Sequence, residues 1–298
     1  MYPTGNTTVD TQSKSIAIVT MCHRSDIDRC RLLVQTVDHF VSPHLNHYII
    51  VDKRDRKHFD SLNEGKTNIL CVEEILPWWI FRAWGVPGMW LSLKTPPFRD
   101  WILQQLVKLA IPPKIDEDII INIDTDVAFV RPFNPYSYIR DGKVRLFRVP
   151  DANSATQCHW HRTVGPLLGL DKKDYYGASF VGNLISWTTD NVERLHKHIE
   201  SVSGRPWLET LCMPRNWHLA EYLLYGVYID NVLGLENSGH WLDETNPCLG
   251  YWKHEELNET QIREFLATIQ PEHVAVMIAS YAGVPADRYA RLLEESFA

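Results

Sequence analysis

The sequence has few cysteines, and they show no regular spacing. Six cysteines occur in 298 residues, and none of them forms a Cys-x-x-Cys pair. The sequence therefore indicates neither a zinc knuckle nor a disulfide framework. Unpaired thiols are typical of the reducing cytoplasm, and we expect a cytoplasmic protein. Residues 1–13 are polar and lack the apolar stretch of a signal peptide, so residues 1–14 are predicted to be a flexible tail.

Two further features are absent, an excess of positive charge and a long hydrophobic run. The formal net charge is −7, and lysine and arginine are scattered along the chain, which argues against nucleic acid as a partner. The aromatic-rich residues 76–90 are interrupted by Arg82, Gly85 and Pro87 and are too short to span a bilayer. Their tryptophans are most simply packing residues, but they could also form a movable lid or contact a membrane surface peripherally.

The sequence does contain enough apolar residues for a large core. Hydrophobic residues make up 45% of the chain and charged residues 22%, a balance typical of a globular protein. Short apolar runs alternate with helical patterns, which predicts an α/β fold with a mostly parallel sheet flanked by helices. The predicted strands span 15–20, 47–51, 68–72, 119–123, 144–148 and 179–187, and the predicted helices span 27–40, 100–110, 189–201, 217–228, 271–282 and 285–297. Residues 150–176 are poorly periodic and predict a long loop.

Three Asp-x-Asp triplets occur, and their surroundings distinguish them. Asp26 and Asp28 precede a helical pattern, where carboxylates cap the first turn and interact favourably with the helix dipole. The triplet at 116–118 lies in a charged turn. Only Asp124-Thr-Asp126 follows a buried apolar strand, where open α/β sheets bind their ligands. We therefore assign a site to this third triplet, with strand-end residues that satisfy loop amides as the alternative.

Two carboxylates at this position suit a divalent cation that also binds a diphosphate. Mg²⁺ typically binds through one or two protein carboxylates together with substrate phosphates, and a bound cation stabilises the charge on a departing diphosphate. Mn²⁺ or Mg²⁺ is thus the predicted cofactor, with Asp126 as direct ligand and Asp124 reaching the ribose or a metal-bound water. Asp52 ends the second strand and is placed for a ribose or base contact. The backbone after Thr20 is predicted to line the nucleotide pocket.

This order of parts resembles the GT-A glycosyltransferases, and more closely a bacterial family described as a domain of unknown function with a GT-A-like fold. The resemblance covers roughly residues 15–255. It is carried by the Thr20 turn, Gln104-Gln-Leu-Val-Lys108, Asn122-Ile-Asp-Thr-Asp126 with Arg131-Pro132, Gly182-Asn-Leu-Ile-Ser-Trp187 and Glu221-Tyr-Leu-Leu-Tyr-Gly226. It implies a Rossmann-like sheet and a metal-dependent sugar transfer from a nucleotide-diphosphate donor to a carbohydrate or lipid-linked acceptor, in bacterial polysaccharide or glycoconjugate synthesis.

The resemblance also implies roles for single residues. Gln104, Gln105 and Lys108 would contact the donor, although a solvated helix face explains their spacing nearly as well. Glu221 matches the general base of inverting enzymes, with a charge in the first turn of a helix as the alternative. His240 matches a late histidine that completes the metal shell in many GT-A enzymes, and the alternative is an ordinary buried histidine. Retention or inversion at the sugar stays open.

Two other histidine segments are weaker candidates. His254 is a second choice for the late metal ligand. Residues 158–161, Cys-His-Trp-His, look like a metal cluster, but no partner motif accompanies them in the sequence. We therefore expect a polar loop that touches the acceptor rather than a zinc site.

The predicted domain has two halves and a terminal extension, and three other activities compete with sugar transfer. Residues 15–150 form the nucleotide-sugar-binding half, 151–255 the acceptor-binding half and 256–298 a C-terminal helical segment. A phosphatase of the haloacid dehalogenase type would need Thr or Val where Ala128 stands. A nucleotidyltransferase would also have such a sheet and carboxylates that bind a metal ion. It usually has a glycine-rich loop after the first strand, however, and residues 21–25 contain no glycine. A non-catalytic sugar-nucleotide or glycan-binding protein is the remaining alternative.

Overall fold

The structure is a computed structural model that describes residues 14–213 and 217–297. Of the predicted flexible tail, all but Lys14 lies outside the described residues. The described strands are β1 (Ile16–Met21), β2 (Asn46–Val51), β3 (Thr67–Cys71), β4 (Ile80–Arg82), β5 (Met89–Ser92), β6 (Phe98–Arg99), β7 (Ile119–Asn122), β8 (Val127–Phe129), β9 (Ile139–Arg140), β10 (Lys143–Phe147), β11 (Val149–Pro150), β12 (Ala178–Ser179), β13 (Ile185–Thr188), β14 (His240–Asp243), β15 (Cys248–Tyr251) and β16 (Ala275–Ile278). The described helices are α1 (Ile27–Phe40), α2 (Val72–Ile75), α3 (Asp100–Ala110), α4 (Ala155–Leu167), α5 (Thr189–Ser203), α6 (Trp207–Leu211), α7 (Glu221–Val227), α8 (Leu235–Ser238), α9 (Glu259–Leu266) and α10 (Ala286–Phe297). The predicted mixed α/β class is confirmed.

Five strands form the central sheet in the order β13-β7-β1-β2-β3. The strands β7, β1, β2 and β3 run parallel, and β13 runs antiparallel to β7 at one edge. The parallel strands are apolar runs such as the fully buried Ile119–Asn122, as expected where both faces of a sheet are covered. The remaining strands belong to four smaller sheets of two or three strands each. The described chain therefore has several sheets rather than one.

Successive residues of the central strands pack into different apolar layers. Ile121 belongs to a layer that contains Leu33 of α1, whereas its neighbour Ile120 belongs to a layer that contains Leu106 of α3 and Trp187 of β13. Adjacent side chains of a strand point to opposite faces, so α1 and α3 cover opposite faces of the sheet. This arrangement brings α3 alongside the end of β7.

Two segments in the second half of the chain differ from the sequence prediction. The predicted loop 150–176 contains the helix α4, which Ser154 caps by accepting a hydrogen bond from the Gln157 amide. The interval 179–187 does not form one strand, because β12 and β13 are separated by residues 180–184. Within that separation Leu184 has a φ of 56°, a left-handed conformation that a continuous strand does not accommodate.

The predicted terminal helix pair is wrong in its first member. Residues 271–282 contain β16, which pairs in parallel with β15 and antiparallel with β8. All four residues of this strand are buried, and a short apolar run of this kind cannot be distinguished from a buried helix by periodicity. The second member, α10, is present, and α9 begins at a capping box formed by Asn258 and Gln261.

The aromatic-rich stretch forms a small antiparallel sheet, β4-β5-β6. Trp79 and Trp90 are buried, so the packing interpretation holds for these two side chains. Trp78 and Trp84 are exposed, and packing does not explain them. In the part of the chain that the structure describes, every helix is too short or too polar to cross a membrane.

Candidate functional site

A cavity of about 260 Å³ lies at the carboxyl ends of β1 and β7. β2 and β3 lie on one side of β1 and β7 lies on the other, so the strand order reverses at this point. Ligands of open α/β sheets bind outside the carboxyl ends of the strands at such a switch point. The polar side chains that line the cavity include His23, Asp26, Gln105, Lys108, Asp124 and Glu221.

Asp124 and Asp126 lie in the turn that follows β7. The Ile123 amide donates to the Val19 carbonyl (3.0 Å), and the Val127 amide donates to the Asp124 carbonyl (3.2 Å), which fixes the turn between β7 and β8. Asp124 and Thr125 line the cavity. Asp126 is half-buried, and its Oδ2 accepts a hydrogen bond from the Ser280 amide at 3.0 Å. The triplet is thus held by β1 and by the segment after β16.

Lys108 joins the triplet to helix α7. Its Nζ lies 3.0 Å from Asp124 Oδ1 and 3.0 Å from Glu221 Oε1, and it donates to the Tyr222 hydroxyl at 2.9 Å. The three hydrogens of an ammonium group therefore have three oxygen partners. Lys108 and Glu221 are buried, whereas Asp124 is partly open to solvent. The interpretation of Lys108 as part of a solvated helix face is wrong.

The charges in this cluster shift the pKa values of its members. Burial opposes the charged form of Lys108, but the attraction of Asp124 and Glu221 outweighs it and raises the lysine pKa well above its usual value. Burial, together with the nearby charge of Asp124, raises the pKa of Asp126 to about 7. Lys108 is therefore a permanent cation, and a bound cation would favour the charged form of Asp126.

Gln105 positions the beginning of α7. Its side-chain Oε1 accepts a hydrogen bond from the Glu221 amide at 2.8 Å, one of the helix N–H groups that have no partner within the helix. Gln105 is buried, so the solvated-face interpretation is wrong for this residue as well. Gln104 lines the same cavity. The predicted motif 104–108 thus faces the site, with Gln105 and Lys108 holding Glu221 in place.

Aromatic side chains from distant segments form much of the cavity wall. They are Trp101, Trp160, Tyr222, Trp252 and Tyr281. Such rings can stack on the apolar C–H surface of a sugar or on a base. Trp160 lies within the 158–161 segment, so that segment does face the site, although as part of α4 rather than as a polar loop.

The chain matches one protein family over most of its length. The description "Family of unknown function (DUF6492)" applies to residues 13–297 of this chain, which is nearly its whole length. The chain belongs to this family. No curated protein matches the chain. Membership of DUF6492 does not carry an activity with it, so the chemistry of the cavity is the guide to function.

Four predicted site residues of this DUF6492 member, Thr20, Asp52, Asp126 and His240, are not among the described residues that line the cavity, and other partners hold them. Thr20 is fully buried and its Oγ1 lies 3.0 Å from His47 Nε2, whereas Met21 and His23, directly after it, do line the cavity. Asp52 pairs with Arg82 at 2.7 Å and accepts from the Arg54 amide at 3.1 Å. Asp52 therefore holds the β4-β5-β6 sheet and is not placed for a ribose contact in the cavity.

His240 is not placed as a metal ligand. It is buried in β14, where Nε2 lies 2.7 Å from the Tyr225 hydroxyl and Nδ1 lies 2.9 Å from the Val144 carbonyl. Both ring nitrogens are occupied, and burial lowers the pKa of this histidine to about 4. The buried-histidine alternative is correct for His240. His254 stacks on Tyr281, which lines the cavity, with ring centroids 4.3 Å apart.

Several lining residues were missed by sequence reasoning. Asp26 occupies the N-cap position of α1 but makes no capping hydrogen bond through its side chain, and it lines the cavity instead. Its place five residues after the carboxyl end of β1 was a signal that could have found it. Ser280 and Tyr281 come from the segment after β16, and a correct strand prediction there would have placed them at this edge of the fold.

The donor set fits only one kind of metal site. No group of three or more His, Cys, Asp or Glu side chains that could hold a metal occurs within residues 14–213 and 217–297. Asp124 and Asp126 each keep one carboxylate oxygen besides the one bonded to Lys108 or Ser280. Two hard oxygen donors suit Mg²⁺ or Mn²⁺ when water and substrate phosphate complete the shell. The residues therefore fit a cation that enters with its substrate.

Proposed function

We propose that this protein is a metal-dependent glycosyltransferase with a GT-A-like fold, which transfers a sugar from a nucleotide-diphosphate donor to a carbohydrate or lipid-linked acceptor. One observation carries the proposal: the triplet Asp124-Thr-Asp126 follows a buried strand at the switch point of the central sheet, and its Asp124 lines one cavity with Lys108 and Glu221. We place the reaction in the cytoplasm, in polysaccharide or glycoconjugate synthesis.

The charge of the cavity supports a requirement for a cation. Three lining carboxylates, from Asp26, Asp124 and Glu221, face one lysine, Lys108, which gives a formal charge of −2. A diphosphate is itself an anion, and charges of like sign repel strongly where water is partly excluded. A divalent cation held by Asp124 and Asp126 would reverse this repulsion. When bound, it would also stabilise the negative charge that develops on the departing nucleotide diphosphate.

The chain's own residues would supply orientation and a proton acceptor. The acceptor hydroxyl oxygen forms a bond to the anomeric carbon, the bond from that carbon to the diphosphate breaks, and the hydroxyl proton passes to a carboxylate. Glu221 is our candidate for this base, through the oxygen that is not paired with Lys108. Lys108 keeps both Glu221 and Asp124 in fixed positions, and the aromatic wall would hold the sugar.

Turnover of a sugar nucleotide tests the proposal. The protein is incubated with a panel of uridine, guanosine and thymidine diphosphate sugars, with Mn²⁺ or with EDTA, and release of the nucleoside diphosphate is measured. We expect metal-dependent release from one donor, abolished by Asp124→Asn. Asp116→Asn is the matched control, since Asp116 belongs to another Asp-x-Asp triplet and is exposed. Release that survives Asp124→Asn would contradict the assignment of the site.

The panel, extended with nucleoside triphosphates and sugar phosphates, separates two of the competing functions. A nucleotidyltransferase would instead release pyrophosphate from a nucleoside triphosphate and a sugar phosphate. A binding protein would be stabilised by one sugar nucleotide in a metal-dependent manner but would not release product with any acceptor. Either pattern would replace the transferase proposal while retaining the metal site.

A further inference from the structure

The outer face of the β4-β5-β6 sheet is largely apolar and partly exposed. The strand register places Ile80, Trp90 and Phe98 on the face that packs against the core, where all three are buried. Phe81, Met89 and Leu91 occupy the opposite face, and each of them is partly exposed. An antiparallel sheet with one face on the core normally presents polar side chains on the other. The outer face therefore has the composition of a contact surface.

Exposed tryptophans flank β4 at both of its ends. Trp84 is 100% exposed in the turn between β4 and β5, and Trp78 is 80% exposed just before β4. Leu93, directly after β5, is 65% exposed. The turn 83–88 contains no charged residue. Large apolar side chains clustered in this way on a soluble surface mark an interaction site rather than chance exposure.

The sheet is held firmly to the body of the protein, so its outer face is presented in a fixed orientation. Arg82 pairs with Asp52 at 2.7 Å, and the Trp90 indole N–H donates to Asp100 at 2.7 Å. The Arg82 guanidinium also lies over the Trp90 ring, 5.6 Å from its centroid. These contacts lie beneath the sheet, so the outer face can bind a partner without breaking them.

We infer that this outer face, with Trp78 and Trp84, binds the surface of a phospholipid bilayer that contains anionic headgroups. The single charge at an outer-face position is that of Arg99, opposite Met89, and it has no ion-pair partner among the described residues. A cation beside exposed tryptophans complements an interface of anionic headgroups and acyl chains. A turn that projects its tryptophan fully into solvent suits insertion into an interface better than enclosure in a protein groove.

The surface continues towards the candidate site. Trp101, on the first turn of α3 directly after β6, is 49% exposed and also lines the cavity. A bilayer bound at the sheet would therefore lie beside the cavity mouth. Membrane binding itself does not depend on the proposed transfer reaction, and it can be measured without donor, acceptor or metal.

Sedimentation with vesicles tests the inference directly. The full chain is mixed with vesicles of phosphatidylcholine alone or of phosphatidylcholine with phosphatidylglycerol, and the bound fraction is measured. We expect binding to the anionic vesicles, weakened about tenfold or more by Trp84→Ser because the inserted indole surface is lost. Arg99→Gln should weaken binding about fivefold on anionic vesicles only. The matched controls are Trp217→Ser and Arg205→Gln, which alter exposed residues elsewhere.

The alternatives give different results. Both exposed tryptophans lie at the surface, so Trp78→Ser and Trp84→Ser should fold normally, and an unchanged circular dichroism spectrum and melting temperature verify this. Absence of wild-type binding to anionic vesicles, or equal binding by the double variant Trp78→Ser/Trp84→Ser, would overturn the inference. So would a dimer in solution that the same double variant dissociates, because a second copy of the chain would then cover the face.

Discussion

At the scale of the residue, Lys108 determines whether the carboxylates of Asp124 and Glu221 can coexist in one cavity. Its Nζ lies 3.0 Å from Asp124 and 3.0 Å from Glu221, and the lysine and glutamate are buried. Burying a carboxylate without a partner is costly, since the protein interior solvates charge far less well than water. Without the lysine, burial of the Glu221 carboxylate would be unfavourable.

The first prediction concerns removal of this cation. We expect Lys108→Met to lower the free energy of unfolding by about 3 kcal/mol, because it leaves a buried carboxylate unpaired. Adding Glu221→Gln should recover part of the loss. Urea denaturation measures both effects, with Lys114→Met as the control, since Lys114 is exposed. A Lys108→Met variant as stable as this control would show that the ion pairs contribute nothing.

The second prediction concerns His161, which is fully buried between two tyrosine rings. Its ring centroid lies 4.9 Å from that of Tyr175, and neither ring nitrogen has a hydrogen-bond partner among the described residues. Burial lowers its pKa from 6.5 to about 4. Between these pH values the unfolded chain binds a proton that the folded chain does not, so the contribution of His161 to stability is complete above pH 6.5 and is lost as pH falls towards 4.

Substitution of His161 should therefore reduce the acid sensitivity of the fold. We expect His161→Leu to lose less unfolding free energy than the wild type as the pH falls, by about 3 kcal/mol at most over this window. Denaturation curves across the window measure the difference, with the exposed His39→Leu as control. Parallel pH profiles of His161→Leu and the wild type would mean that this histidine is protonated as readily in the fold as in the unfolded chain.

At the scale of the element, Asp52 stabilises the β4-β5-β6 sheet and does not contribute to the nucleotide pocket. Asp52 pairs with the nearly buried Arg82 at 2.7 Å. We expect Asp52→Asn to raise the amide exchange rates of β4 and β5 about tenfold, because a charge-assisted hydrogen bond is lost. Affinity for nucleotides should stay unchanged. Hydrogen exchange and nucleotide titration measure the two effects.

The control for this element is Asp60→Asn, which changes an exposed aspartate at the surface. It should alter neither amide exchange in the sheet nor nucleotide affinity. If Asp52→Asn weakened nucleotide binding and left amide exchange as it was, the sequence-based assignment of a ribose contact would be right and the structural role assigned to Asp52 would be wrong.

Elements with strong local patterns were predictable from the sequence. The bounds of α1 and α3 agree with the predicted helices 27–40 and 100–110, since amphipathic periodicity is a local property. The strand β16 was not predictable in this way. Its four apolar residues fit a buried helix or a strand equally well, and its pairing with β8 joins segments about 150 positions apart. Only tertiary contacts decide between the two.

The same distinction applies to the candidate site. Asp124 was found because its strand precedes it directly in the sequence. Tyr222 and Ser280 contact the same cluster from distant segments, and no local pattern joins them to it. For His240 the sequence-based assignment was wrong, because its partners Tyr225 and Val144 belong to other elements. A histidine motif alone therefore could not distinguish a ligand from a buried structural residue.

At the scale of the whole molecule, all three predicted parts of the chain meet at one cavity. Residues 15–150 supply Lys108 and Asp124, residues 151–255 supply Glu221, and the terminal segment supplies Ser280. The terminal segment was expected to be a helical addition, but β16 and the residues after it complete the site. A truncation before α9 should therefore remove part of the cavity as well as an apolar layer.

The central claim is that the cavity binds a nucleotide diphosphate only together with a divalent cation. Thermal unfolding of the full chain with uridine or guanosine diphosphate, in Mn²⁺ or in EDTA, tests it most directly. We expect stabilisation by one nucleotide in Mn²⁺ alone, about 2.7 kcal/mol at a free concentration one hundred times the Kd, lost in Asp124→Asn and retained in Asp116→Asn. Equal stabilisation in EDTA, or none with any nucleotide diphosphate, would contradict the claim.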